Sequence, residues 1–198
     1  MTRIVAGVAK GRRLAVPAGA RPTSERAREG LLASAAASLG TLNGVRVADL
    51  YAGSGAVGLE ALSRGAADVL LVEADRAAAR VIRSNIETVR LPGARLQAGR
   101  VEWVLARGPA DGGRRDFVFA DPPYATTADE VTHVLELLLG RGWLAPGALV
   151  VVERATRSGP PSWPRGYQQD RSRRYGEATL WYGLAESAQF GAGSLTGV

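Results

Sequence analysis

Asp49-Leu50-Tyr51-Ala52-Gly53-Ser54-Gly55-Ala56-Val57-Gly58 joins an apolar run, Val45 to Leu50, to an apolar helical pattern, Ala56 to Arg64, that Gly65 stops. Gly53, Gly55 and Gly58 satisfy G-x-G-x-x-G at a strand-to-helix turn, and Glu73 closes the next apolar run about 20 residues on, where a ribose diol is held. Taken alone, this fingerprint predicts NAD as readily as S-adenosylmethionine. Asp49 separates them. A carboxylate beside the glycine turn repels a pyrophosphate, whereas it attracts the ammonium group of an aminoacyl moiety. With their neighbours in the turn and at the strand ends, the candidate cofactor residues are Asp49, Tyr51, Ala52, Gly53, Ser54, Gly55, Glu73, Ala74, Arg100 and Val101.

Working outward, strand and helix patterns alternate. Strands are expected over 45–50, 68–72, 94–98, 116–120 and 148–152, and helices over 56–64, from a cap at Asp75 through Val89, and over 127–139. Continuous apolar strands between helices imply a parallel sheet covered on both faces. After Glu153 the pattern changes, because Gly159-Pro160-Pro161 and Pro164 leave no room for a crossover helix. Runs at 167–173 and 178–184 around Tyr175-Gly176-Glu177 then read as a hairpin. At the start, alternation at Ile4, Ala6 and Val8 and at Leu14 and Val16 predicts a small hairpin, followed by a helix through Arg28 to Ala35 with Thr23 as its cap. The expected organisation is a basic hairpin and helix over 1–40, an α/β domain over 41–184, and a Gly/Ser/Ala-rich disordered tail over 185–198.

The chemistry points to a second motif. Asp121-Pro122-Pro123-Tyr124 follows the strand pattern Asp116 to Ala120 and so arrives at the sheet edge where the glycine turn lies. The exocyclic nitrogen of a nucleobase delocalises its lone pair into the ring and is a poor nucleophile. Acceptors at the Asp121 side chain and the Pro122 carbonyl would take its two N–H bonds and favour a tetrahedral, attacking nitrogen. Prolines stiffen the acceptors, and Tyr124 offers a stacking surface. Asp and Pro are also common in strand-ending turns, and the tetrapeptide by itself serves adenine, cytosine and guanine alike.

Composition excludes much else. The chain has 198 residues, one histidine and no cysteine, so thiolate metal sites, disulfides and histidine triads are out, and no metal is expected. His133 falls on the polar side of a helix whose apolar face is Val131, Val134, Leu135 and Leu138, and it carries no assigned role. No apolar stretch is long enough to span a membrane. The net charge of +6 is concentrated at two places. Residues 1–30 hold seven Lys/Arg against two Glu, and residues 154–174 hold six Arg against one Asp. Such segments suit phosphates. The candidate phosphate-backbone contacts, RNA-binding if the chain acts on RNA, are Arg3, Lys10, Arg12, Arg13, Arg21, Thr23, Arg26, Arg28, Arg171, Arg173 and Arg174.

Together, Arg3 to Gly7 with Lys10 to Leu14, Arg21-Pro22-Thr23 with Arg26 to Glu29, Asp49 to Gly58, Leu59 to Ala66, Asp121 to Tyr124 and Arg174 to Glu177 resemble the RsmD family over residues 3–184. Those bacterial enzymes are 16S rRNA guanine-N2 methyltransferases that modify the guanine conventionally numbered 966. The resemblance implies a class I, Rossmann-like methyltransferase fold, with a seven-stranded, mostly parallel sheet whose last strand is antiparallel. It implies S-adenosylmethionine as cofactor and 16S rRNA within the assembled or assembling small ribosomal subunit as partner. A cytoplasmic monomer is expected. Where methyltransferases often carry an acidic residue after the third strand, for the adenine amino group, this chain has Arg100, which cannot accept that bond. The competing readings are a DNA adenine or cytosine amino methyltransferase, an NAD-dependent oxidoreductase and a non-catalytic RNA-binding module.

Overall fold

A computed structural model describes residues 1–19, 24–110 and 113–186. Arg21 and Thr23, both expected at the RNA surface, and most of the expected tail lie outside the described residues. Two two-residue strands, β1 (Thr2–Arg3) and β2 (Arg13–Leu14), pair antiparallel and precede helix α1 (Glu25–Leu39). The alternation continues through β3 (Arg46–Leu50), α2 (Ala56–Ser63), β4 (Asp68–Glu73), α3 (Arg76–Val89), β5 (Ala94–Ala98), α4 (Val101–Ala106), β6 (Arg115–Ala120), α5 (Ala128–Gly140) and β7 (Leu144–Ala155). A hairpin of β8 (Tyr167–Tyr175) and β9 (Ala178–Ala185) completes it.

The sheet has seven strands in the order β5-β4-β3-β6-β7-β9-β8. The pairs from β5 to β7 are parallel, and the last strand in sequence, β9, runs antiparallel between β7 and β8. The strand order reverses direction at β3 and β6, which makes their C-terminal ends the crevice of a doubly wound sheet. Apolar residues of α1, α2 and α3 cover one face, among them Leu31, Leu59 and Ile82. Those of α4 and α5, such as Val104 and Leu135, cover the other. A short 3₁₀ turn, Thr156–Ser158, stands where a crossover helix was ruled out.

Three local expectations are corrected. The N-terminal strands are shorter than the alternation suggests, because their backbone donors go to α2 instead of a partner strand. Val5 and Ala6 donate to the Glu60 carboxylate at 2.9 and 3.0 Å, Ala9 donates to Ser63 Oγ at 2.9 Å, and Val8 donates to the Ser63 carbonyl at 2.8 Å. The cap of α1 is Ser24, whose hydroxyl accepts from the Ala27 N–H at 3.1 Å. Helix α4 was not anticipated, since six residues give too little apolar periodicity to stand out.

Arg28 is also corrected. Expected to meet RNA, it is fully buried, with Nε on Glu60 at 3.1 Å and further bonds to Thr2 Oγ1 and the Arg3 carbonyl. A guanidinium with no exposed surface cannot reach a phosphate. Glu60, equally buried, also accepts from Arg64 at 2.9 Å, so one carboxylate fastens the N-terminal arm, α1 and α2 together. Removing one partner of a buried ion pair leaves a desolvated charge and typically costs ~3–5 kcal/mol. Arg28→Ala should lower the unfolding free energy by about 3 kcal/mol, the low end because Arg64 remains; denaturant titration measures it.

Candidate active site

The cofactor turn is built by close backbone approach. Gly53 and Gly55 take positive φ of 57° and 75°, and Ala52 N–H donates to the Val72 carbonyl at 2.9 Å, tying the turn to the end of β4. At Gly58 a Cβ would lie 2.6 Å from Leu71 Cδ2 and 2.7 Å from Val69 Cγ1, so glycine lets α2 settle directly on β4. Glu73 is oriented by two backbone donors, Gly53 N–H to Oε2 and Asp75 N–H to Oε1, each at 2.8 Å. Its carboxylate is thus held in place with lone pairs left for a ribose diol.

Asp49 is only 2% exposed, and its Oδ2 accepts from the Gly58 N–H at 2.9 Å. It lies beneath the glycine turn and braces it. Burial is the main cause that pushes its carboxyl up to about 8, and the neighbouring Asp121 and Glu73 charges add to it while the Gly58 bond opposes. A cationic ligand group above the turn would relieve that charge crowding.

A cleft of about 1050 Å³ opens over these strand ends, lined by Tyr51, Glu73, Ala74, Arg100, Val101 and the whole of Asp121 to Tyr124. Five of the ten cofactor candidates therefore share one cavity with the base candidates, while Asp49, Ala52, Gly53, Ser54 and Gly55 are not among the residues that line it. Tyr124 is 75% exposed at its mouth, a free aromatic face. The Asp121 segment is turned by Thr126 N–H donating to the Pro123 carbonyl at 2.8 Å, and Asp121 N–H reaches the Leu50 carbonyl at 3.4 Å, extending the ladder with β3. Burial raises the Asp121 carboxyl above the usual carboxylate range. Ala52 and Ser54 belong to the turn itself. The Ser54 carbonyl accepts from Asn85 Nδ2, and Asn85 also bonds both backbone groups of Ala15, linking the N-terminal arm to the cofactor turn.

Asp75, Glu102, Glu130 and Glu153 also line the cleft and were not picked as site residues; two of them stand out. Glu102, on the first turn of α4, accepts from the Tyr51 hydroxyl at 3.3 Å, so an acceptor exists at the edge where Arg100 stands. Burial and the Glu102 charge raise the Tyr51 phenol. Arg100 itself is exposed, 3.5 Å from Glu102 and stacked over Trp103. Glu153, at the end of β7, is the other; its position at a strand end was legible, its neighbours were not.

The basic candidates divide. Arg3, Lys10, Arg13, Arg26, Arg173 and Arg174 are exposed. Arg12 is partly covered and donates to the Thr88 carbonyl at 3.3 Å. Arg171 pairs with Asp170, lies over the Tyr182 ring at 4.7 Å and donates to Ser38 Oγ at 2.7 Å and the Ser34 carbonyl, so much of its donor capacity holds α1 to the sheet. Among the described residues no group of His, Cys, Asp and Glu is arranged to hold a metal, and no helix is long and apolar enough to cross a membrane.

The oriented Glu73 carboxylate, the acidic crevice and the tight glycine turn fit S-adenosylmethionine, whose sulfonium and ammonium groups are cationic, and disfavour a pyrophosphate. Because Asp49 is protonated in the folded state between its ordinary range and about 8 but ionised when unfolded, the folded state loses stability as pH rises through that window. Asp49→Asn keeps an acceptor for Gly58 and removes the titrating group. Its melting temperature relative to the parent should rise between pH 5 and pH 8, while affinity for S-adenosylmethionine falls; thermal scans and calorimetry check the two.

The family described as conserved hypothetical protein 95 matches residues 2–183. Ribosomal RNA small subunit methyltransferase D of Escherichia coli K12 is 37% identical over 88% of this chain and 85% of its own length. The protein of the same name from Haemophilus influenzae is 32% identical over 76% of this chain and 77% of its own. Among solved structures, the putative methyltransferase yhhF from Escherichia coli superposes with a TM-score of 0.82 at 35% identity, covering 94% of this chain and 98% of that one. The sheet order, the antiparallel last strand and these superpositions establish the class I, Rossmann-like methyltransferase fold. With a family match over nearly the whole length and relatives of this identity, the chain belongs to the conserved hypothetical protein 95 family, the RsmD family.

Proposed function

We propose that this protein transfers a methyl group from S-adenosylmethionine to the exocyclic N2 of a guanine in 16S rRNA of the small ribosomal subunit, the guanine-966 type, in the cytoplasm. The observation that carries the reading is the single cleft that holds both the oriented Glu73 carboxylate and the Asp121 to Tyr124 segment. The names of the relatives support the rRNA substrate.

S-adenosylmethionine supplies an electrophilic methyl on a sulfonium whose thioether is a good leaving group. Glu73 and the glycine turn hold the ribose and aminoacyl ends, and Glu102 with the Val101 backbone faces the adenine. Tyr124 stacks on the extruded base, a contact worth roughly 1–3 kcal/mol. Loop bases are already partly unstacked, which lowers the cost of extrusion. Asp121 and the Pro122 carbonyl accept the two N2–H bonds and concentrate electron density on the nitrogen. As the N–C bond forms, one N2 proton passes to Asp121, whose raised pKa makes it the stronger base. The exposed Arg3, Lys10, Arg13, Arg26, Arg173 and Arg174 meet the RNA backbone, with residues 1–40 as the RNA-facing element and the protein acting as a monomer.

Offered labelled S-adenosylmethionine with small-subunit particles, deproteinised 16S rRNA and duplex DNA, the enzyme should yield N2-methylguanosine in one of the rRNA substrates and no label in DNA. Label in DNA alone rules the proposal out. Asp121→Ala should lower kcat about 10²–10³-fold while sparing cofactor affinity. Because Asp121 works as a carboxylate, wild-type kcat/KM should fall on acidification with a midpoint above the ordinary carboxylate range.

A further inference from the structure

The Asp121 pocket accepts N–H groups from any amino-bearing base, so something else chooses among them. Glu153 is placed to do so. In the sheet register Phe119 lies opposite Val151 and Ala120 opposite Val152, which brings Asp121 and Glu153 side by side at the ends of β6 and β7. Both follow the side-chain parity of Phe119 and Val151 and face the same layer. Both line the cleft and the small recess of about 30 Å³ behind Tyr124. Glu153 Oε2 is buried and has no hydrogen-bond partner among the described residues. A buried acceptor without a donor is costly, and an incoming N–H removes that cost.

The bases differ next to the amino group that reacts. Guanine N2 is flanked by N1–H, a donor, whereas adenine N6 is flanked by N1 and cytosine N4 by N3, both acceptors. An ionised carboxylate only accepts. Neighbouring strands lie about 4.8 Å apart, close enough for two carboxylates to converge on adjacent N–H groups. We propose that Glu153 selects guanine by accepting its N1–H while Asp121 accepts from N2. The inference rests on the methyltransferase reading above and names the determinant of its target base. Burial and the Asp121 charge both raise the Glu153 carboxyl, to about 8, so the accepting form the selection needs is the ionised one that a docked guanine N1–H favours.

The test keeps the amino group and changes its neighbour. Small-subunit particles are reconstituted with 16S rRNA carrying either guanine or 2,6-diaminopurine at the target position; the second has the same 2-amino group but an N1 acceptor. Wild type should prefer guanine by roughly 10- to 100-fold in kcat/KM, the usual worth of a specific base contact. Glu153→Gln, which is isosteric and can donate to N1, should reduce that preference to less than about threefold, with S-adenosylmethionine affinity unchanged. Equal preference in wild type and variant overturns the proposal. Should the variant lose both activities, wild type decides alone, and equal rates on the two bases overturn it. Absence of methylation by wild type on guanine particles would instead fail the parent reading, and the two failures are thereby distinct.

Discussion

The site depends on the register of four parallel strands. Asp49 lies opposite Leu71 of β4 and Phe119 of β6, and Phe119 lies opposite Val151 of β7. Two residues further along each neighbouring strand come Glu73, Asp121 and Glu153. A two-residue step preserves the face, so the four carboxylates lie on the same side of the sheet, with Glu73, Asp121 and Glu153 lining the crevice and Asp49 buried beneath the turn. A one-residue slip of any strand would turn its carboxylate into the opposite layer and expose its apolar residues to the wrong face. The core pins the register, and the register sets the chemistry.

Crowding four acids at one edge has an energetic consequence that the raised Asp49, Asp121 and Glu153 carboxyls display. Their mutual repulsion and burial are strain that a cationic cofactor relieves. The same edge that would reject a pyrophosphate therefore suits the sulfonium and ammonium groups of S-adenosylmethionine.

Glu60 performs the complementary task away from the chemistry. It collects Arg28, Arg64 and the Val5 and Ala6 amides into one buried network. Asn85 joins Ala15 to the carbonyl of Ser54 in the cofactor turn. The basic arm is thus part of the body of the protein, with Ile4 and Leu14 in the same core as Leu59. Arg28 shows why residue type misleads here: an arginine in a basic segment is read as a phosphate contact, and only packing reveals a partner 32 residues away.

The alternation of strand and helix, the glycine turn, Glu73 and the Asp121 to Tyr124 pocket were legible from sequence because each is a local pattern. Periodicity and turn chemistry act over a few residues, and the strand ends fall on one edge by the logic of a parallel sheet. The short β1 and β2, the cap at Ser24, helix α4 and the surroundings of Arg28, Glu102 and Glu153 were not legible. Each depends on partners distant in the chain: α2 taking strand donors, Glu60 taking an arginine, β7 arriving beside β6. Sequence by itself determined which groups the protein carries to its crevice. Tertiary structure alone decided which of them face one another, because burial and hydrogen bonding between remote segments set a side chain's partner, its charge state and its access to a ligand.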